Sequence, residues 1–492
     1  MALDLLLIRP NDQKKVYSAV TEFTAVEPPF WAASIAAYVR DKGIRVEILD
    51  AEAENIPPED VVIQIKKKNP KLIGLIITGN HLSASTWKMH GAGILAKTIK
   101  ESSIESPIFM WGLHVSALPE QTLQEEKADY VIKGEGLRSI VQLTEFAARQ
   151  IGDPDSILGL YYRKKNGTIA GNPCIALEED LDNIPMQAFD LLCMDKYRAH
   201  NWQRFGEKKD SPKGYGVIAT TLGCPFCCTY CAISTLFGMR KVRYRSIDRV
   251  IQEIEILVQK YGVHYIKILD ENFVLNKEYV TEICDRLIEK NFDLNIWAYA
   301  RVDTLDETIL KKLRQANVKW LCLGIESADE NSMADVKKAQ YGNAQTRKII
   351  EKIKEADIHI LANIMFGLPK ENKSSMEKTL AFARELNCEW INMYATMAFP
   401  GSQLYEEQVM MGGRDLPESW LGYSELSYES KPMPTQYLTS KEVLAFRDYA
   451  FQAFFADNKA YFDMMDKKFG AETVAGIKNM LKRKMRRKLL EE

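Results

Sequence analysis

The chain has 492 residues, enough for about three domains at the usual ~150 residues each. It is 46% apolar, 27% charged and 10% aromatic, which excludes a disordered, fibrous or collagen-like protein. With 65 Lys+Arg against 67 Asp+Glu the formal net charge is −2, so no global field announces a nucleic-acid partner, and none is expected.

Residues Met1 to Pro10 include an apolar stretch, but no cationic segment precedes it and no small-residue cleavage site follows. It reads as a buried strand. No apolar run reaches the ~18–20 residues of a membrane span, so no transmembrane segment is expected and the default location is the cytoplasm. Further strands are expected at Arg45–Leu49, Leu72–Thr78, Ile108–Trp111 and Tyr130–Ile132, with helical stretches such as Ala32–Val39 between them. Short apolar strands without polar alternation, separated by helices, predict a parallel sheet covered on both faces. Ligands of such a doubly wound α/β domain bind at the carboxyl ends of its strands.

That rhythm breaks near 155. Leu158–Arg163 and Thr168–Ala170 flank Asn166-Gly167, a strong hairpin signal, and the run Glu178–Asp182 leads to Pro185. This region reads as a hairpin and linker. From about 212 the strand–helix alternation returns. Strands are expected at Gly216–Thr220, Tyr265–Leu269, Asn295–Tyr299, Trp320–Gly324, His359–Phe366 and Trp390–Tyr394. Six strands with intervening helices predict a full or partial β/α barrel with its chemistry at the carboxyl ends. Beyond 405 the pattern is largely helical. Ile477, Leu481, Met485 and Leu489 recur every four residues opposite basic ones, predicting an amphipathic helix that caps the barrel or touches an anionic surface.

Of nine cysteines, none precedes Cys174, and Cys224, Cys227, Cys228 and Cys231 fall within eight residues. An odd total without a secretion signal argues against a disulfide framework. Thiolates on a loop leaving a strand's carboxyl end suit a soft metal. Structural zinc would need all four in one tetrahedron, yet zinc sites normally separate their two pairs by a dozen or more residues. The other reading takes Cys224, Cys228 and Cys231 as three ligands of a [4Fe–4S] cluster, leaving one iron open.

With Cys224, Cys228 and Cys231 spaced in this way after the first barrel strand, and the aromatic Tyr230 before the last, the chain resembles the radical S-adenosylmethionine (SAM) enzymes. The resemblance implies that the open iron chelates SAM and that its reductive cleavage gives a 5′-deoxyadenosyl radical. It implies an electron donor such as a flavodoxin or ferredoxin, and makes Cys227 a bystander. Polar sets at later strand ends also match. Tyr230, Asp270, Glu271, Asn272, Arg301, Glu326, Ser327 and Gly367 are the implied SAM contacts. Asp270 and Glu271 also suit helix capping, Arg301 and Glu326 a structural ion pair, and Gly367-Leu368-Pro369 a tight turn.

Pro28-Pro29, Ile48–Ala51, Trp111–Val115 and Tyr130–Gly136 together resemble the cobalamin-binding domain that precedes the barrel in one large subgroup of these enzymes. Thr78, Gly79, Gly112, His114, Gly134, Glu135 and Gly136 are the implied cobalamin contacts. The Asp-x-His-x-x-Gly segment that supplies a cobalt ligand elsewhere is missing. The first domain also lacks the three cysteines that methylthiotransferases place there.

The expected organisation is a Rossmann-like cobalamin-binding domain at 1–145, hairpin and linker at 146–208, a partial (β/α)6 TIM-type radical SAM barrel at 209–405 and a helical region at 406–492. The implied activity is methylation of an unactivated carbon of a small-molecule or lipid substrate through methylcobalamin. A cyclase or rearrangement of the same subgroup is an alternative, and a zinc-stabilised nucleic-acid binder is a distant one.

Overall fold

A computed structural model describes residues 3–207, 213–338 and 341–491. The boundary expected at 208–209 and the first two residues of the apolar start lie outside the described residues.

The first sheet is built from β1 (Leu5–Arg9), β2 (Val46–Asp50), β3 (Leu72–Ile77), β4 (Ile108–Gly112), β5 (Tyr130–Ile132), β6 (Leu160–Arg163) and β7 (Ile169–Gly171). Its order is β2-β1-β3-β4-β5-β6-β7, and the first five strands are parallel. Side chains alternate between two buried faces, as a doubly covered sheet requires. Leu5 and Leu7 pack with Trp31 and Ile35 of the helix Phe30–Asp41. Leu6 and Ile8 pack with Val61, Ile65, Leu95 and Ile99 on the other side. Gly74 in β3 leaves room for Phe109, since a Cβ there would sit 2.4 Å from that ring.

The hairpin at Asn166-Gly167 forms, with Gly167 at φ 85°. Its first strand pairs antiparallel with β5, Tyr162 opposite Tyr130, so the hairpin extends the first sheet and only the chain after it crosses to the second.

The second sheet joins β8 (Gly214–Ile218), β11 (Val263–Ile268), β12 (Asn295–Ala300), β13 (Val318–Glu326), β14 (His359–Phe366) and β15 (Trp390–Ala395), all parallel, in the order β15-β14-β13-β12-β11-β8. It is a curled half-barrel. Ile266, Ile268, Ile296 and Ala298 point outward into the helices. Trp297 and Trp320 point inward and close the lumen with Trp202. A two-stranded ladder, β9 (Thr221–Leu222) with β10 (Arg243–Tyr244), brackets the cysteine segment.

The carboxyl-terminal region holds helices Ser440–Phe455, Lys459–Phe469 and Ala471–Leu481. The single amphipathic helix expected through Leu489 is not formed. The helix stops at Leu481, and 482–487 are irregular before the short turn Lys488–Glu491. The cause is Arg487, whose buried guanidinium donates to Asp448 at 2.8 and 2.9 Å and to the Ser427 carbonyl at 2.9 Å. Continuing the helix would pull that charge out of its partners. Among the described residues no helix is long and apolar enough to cross a membrane.

Candidate active site between two strand ends

The order 2-1-3 makes the chain leave β1 and β3 in opposite directions, which opens a crevice beyond their carboxyl ends. A cavity of about 30 Å3 lies there, lined by Arg9, Glu27, Thr78, Gly79 and Asn80 of the first domain and by Leu269 after β11. The carboxyl ends of both sheets therefore face each other.

On the barrel side, β9 leads into Gly223 at φ 98° and then the cysteines. Cys224, Cys228 and Cys231 are half-buried, and Cys227 is exposed. The Cys231 N–H donates to the Cys228 carbonyl at 3.1 Å, and Cys228 acts electrostatically on both other thiols. Burial pushes Cys224 up to about 11 and Cys231 up to about 12, so bare thiolates are disfavoured there. Among the described residues no three Cys, His, Asp or Glu side chains converge on one metal ion. In a [4Fe–4S] cluster each thiolate would bind a different iron, so the three cysteines need not converge on one ion as tetrahedral zinc requires.

Around the loop, Glu326 ends β13 with φ 62°, a left-handed backbone uncommon outside glycine. That turn aims its carboxylate at Lys338 (2.8 Å) and the Tyr230 hydroxyl, which donates at 3.3 Å. Asn272 is buried, and both polar atoms of its amide lack partners, as a side chain reserved for a ligand would. Glu271 pairs with His81 Nε2 at 3.3 Å, joining the barrel mouth to the loop after β3.

Other expected SAM contacts are engaged within the protein. The Asp270 carboxylate accepts from the Thr220 N–H (2.7 Å), the Thr220 hydroxyl (2.5 Å) and the Thr221 hydroxyl (2.8 Å), so it anchors the start of the cysteine loop. Arg301 does not pair with Glu326. It chelates Asp303 at 2.9 and 2.7 Å and stacks 3.7 Å from the Phe226 ring, bracing the same loop. Ser327 donates to Glu371 at 2.6 Å. The other Glu371 oxygen accepts from the Gly367 and Leu368 N–H groups at 2.9 and 3.0 Å, pinning the tight turn at Gly367, φ 82°. Burial pushes Glu371 up to about 7.

On the first-domain side, Thr78 and Gly79 line the crevice. His114 is buried edge-on against Trp420 at 4.4 Å, and burial pushes it down to about 3. Its Nε2 and the Trp87 Nε1 are buried without partners, which fits a polar ligand at this strand end. Gly112 lies too close to the Ile77 carbonyl to carry a Cβ, which would stand 2.2 Å away. Gly134, Glu135 and Gly136 do not face the crevice. Ile175 would meet a Cβ on Gly134 at 2.4 Å, the Gly136 N–H reaches the Ala176 carbonyl, and Glu135, fully buried, pairs with Arg243 and accepts from the Glu178 N–H. The linker crosses β5 and covers them.

Sequence reasoning missed Lys338, His81, Glu371, Arg243, Glu27 and Lys267. Lys267 was detectable as the one charge in the otherwise apolar stretch Tyr265–Ile268.

Residues 218–383 match the Radical SAM superfamily and residues 18–143 the B12 binding domain. An uncharacterized methyltransferase of Pyrococcus horikoshii is 29% identical, over 92% of each chain. The anaerobic magnesium-protoporphyrin IX monomethyl ester cyclase of Rubrivivax gelatinosus is 25% identical over 82% of this chain and 69% of its own. The fold also matches the radical SAM methyltransferase TsrM of Kitasatospora setae, solved with cobalamin and a [4Fe–4S] cluster, at TM-score 0.70, 15% identity and coverage of 98% and 99%. A Radical SAM domain and a B12 binding domain are thus both present, the B12 binding domain first along the chain.

Proposed function

We propose that the protein is a cobalamin-dependent radical SAM methyltransferase acting on an unactivated carbon of a small molecule. One observation carries the reading: the cysteine loop and the B12-domain crevice meet across a single seam. The Ala232 N–H, next to Cys231, donates to Ser83 Oγ of the first domain at 2.9 Å. Two cofactors bound at these strand ends would face one substrate space.

When bound, the cluster and SAM supply a carbon-centred oxidant and the corrin a methyl group, which together methylate a carbon that has no lone pair. Cys224, Cys228 and Cys231 would hold the cluster. Tyr230 and Glu326 border the adjoining space, and Asn272 offers an unengaged amide donor and acceptor for the polar end of SAM. Asp270, Arg301 and Glu371 hold the loops that carry these groups, while the aromatic lumen floor excludes water. Thr78, Gly79 and His114 border the corrin side. Reduction would come from a flavodoxin or ferredoxin, in the cytoplasm.

The test is anaerobic incubation of enzyme, SAM, cobalamin and reductant with candidate substrates, followed by product mass. Methylation adds one methylene equivalent. A product that has gained a ring with no added carbon would replace this reading with the cyclase alternative, which the Rubrivivax relative favours.

A further inference from the structure

The seam contains a buried charge pair that the chemistry above does not use. Lys267 sits in the middle of β11, fully buried, between Ile266 and Ile268. Its ammonium donates to both oxygens of Glu27 at 3.1 and 2.8 Å and to the Asn80 carbonyl at 2.5 Å. It also lies 5.0 Å from the Trp297 ring and 5.9 Å from Tyr299. Glu27 and Asn80 belong to the first domain and Lys267 to the barrel, so every one of these hydrogen bonds crosses the seam.

Glu27 is tied down from several sides. It accepts from His200 (3.2 Å) and Tyr215 (3.4 Å). Its own carbonyl accepts from Arg9 at 2.6 Å, and Arg9 continues through Glu52 to Lys88 and Asp12. Burial opposes the charge, yet Lys267 and His200 hold Glu27 down to about 2. A Met or Leu at position 267 would fill the same space without the desolvation that a buried ammonium suffers. A buried pair is weak support for stability but can fix one arrangement among several.

What it fixes is the loop after β3. Asn80 precedes His81, which reaches Glu271, and Ser83, which holds the cysteine loop at Ala232. We propose that Lys267 and Glu27 are positioning residues that set the register of the Gly79–Ser85 loop, and so the spacing of the corrin side from the cluster side. This inference rests on the two-cofactor reading above.

The test separates chemistry that needs the barrel alone from chemistry that needs both domains. Reductive cleavage of SAM to 5′-deoxyadenosine needs only the barrel. Methylation of cob(I)alamin by SAM needs both. The cobalt electron pair forms a Co–C bond as the S–CH3 bond breaks, S-adenosylhomocysteine leaves, and titanium(III) citrate maintains the cob(I) state. For Lys267→Met and Glu27→Gln, cobalamin methylation falls by roughly 100-fold, the scale of an ångström misplacement, and deoxyadenosine formation falls far less. Hydrogen exchange of 79–85 rises in both variants. The double variant is no worse than either single one, because the pair acts as a unit.

Equal loss of both reactions, or loss of neither, overturns the proposal. If Lys267→Met fails to fold, Glu27→Gln, which keeps a neutral acceptor for Lys267, decides on the same readouts. Should the wild type itself not methylate cob(I)alamin, the two-cofactor reading fails. The exchange measurement still tells whether the pair holds the loop.

Discussion

The two strand ends that meet at the seam differ in how much of their polar chemistry is already engaged. At the first domain, Arg9, Asp12, Asp50, Glu52 and Lys88 are buried and form one ion-paired network, which meets Glu27 through its backbone carbonyl. At the barrel, three half-buried thiols form no disulfide, and the buried Asn272 amide has no hydrogen-bond partner among the described residues. Groups saturated by the protein hold its shape, whereas groups left open await a ligand. Asp270 and Asn272, two residues apart, fall on opposite sides of that line.

The largest effect should come from the open groups. Cys228→Ala abolishes cluster assembly and SAM cleavage, while Cys227→Ala keeps both, as iron content and deoxyadenosine yield will report. The reverse outcome would reassign the ligands. Among saturated groups, Arg243→Met leaves Glu135 buried and uncompensated, a loss of about 3–5 kcal/mol measurable by denaturant titration. A loss well below that would mean Glu135 reaches water.

Adjacent substitutions sharpen the contrast. Asp270→Ala strands the Thr220 and Thr221 donors and costs about 1–3 kcal/mol. Asn272→Ala removes an unpaired amide, so stability holds or rises while SAM affinity, measured calorimetrically on the reconstituted protein, weakens. Equal destabilisation by both would erase the distinction.

The remaining effect concerns pH. The fold raises Glu371 to about 7, so its contribution to stability is complete below about 4.5 and is lost as pH rises through 7. Glu371→Gln keeps acceptors for Gly367 and Leu368 but cannot ionise. Its advantage in melting temperature over the wild type should grow from pH 5 to pH 8, and a constant offset would contradict the assignment.

Much of this architecture was legible in the sequence because it is local. The strands Tyr130–Ile132 and His359–Phe366 fall where the sequence pattern places them, the stretch Ala32–Val39 lies within the helix Phe30–Asp41, and the cysteine spacing needs only eight residues. Partners distant in sequence were not legible. No local rule pairs Glu27 with Lys267, or Glu135 with Arg243. The glycines at 134 and 136 looked like a ligand cradle because the linker that covers them is irregular and carries no periodic signal. The tail failed for a related reason: its four-residue repeat is real, but Arg487 finds Asp448 39 residues away and ends the helix.

The central claim is that one chain holds an iron–sulfur cluster and a corrin face to face. The most direct measurement is anaerobic purification with iron, sulfide and cobalamin supplied, followed by metal analysis, absorption spectroscopy and a SAM-cleavage assay. One [4Fe–4S] cluster and one cobalamin per chain are expected, with deoxyadenosine formed under reduction. Protein that binds zinc at the cysteine loop, or that assembles the cluster and cleaves SAM yet retains no cobalamin, would contradict it.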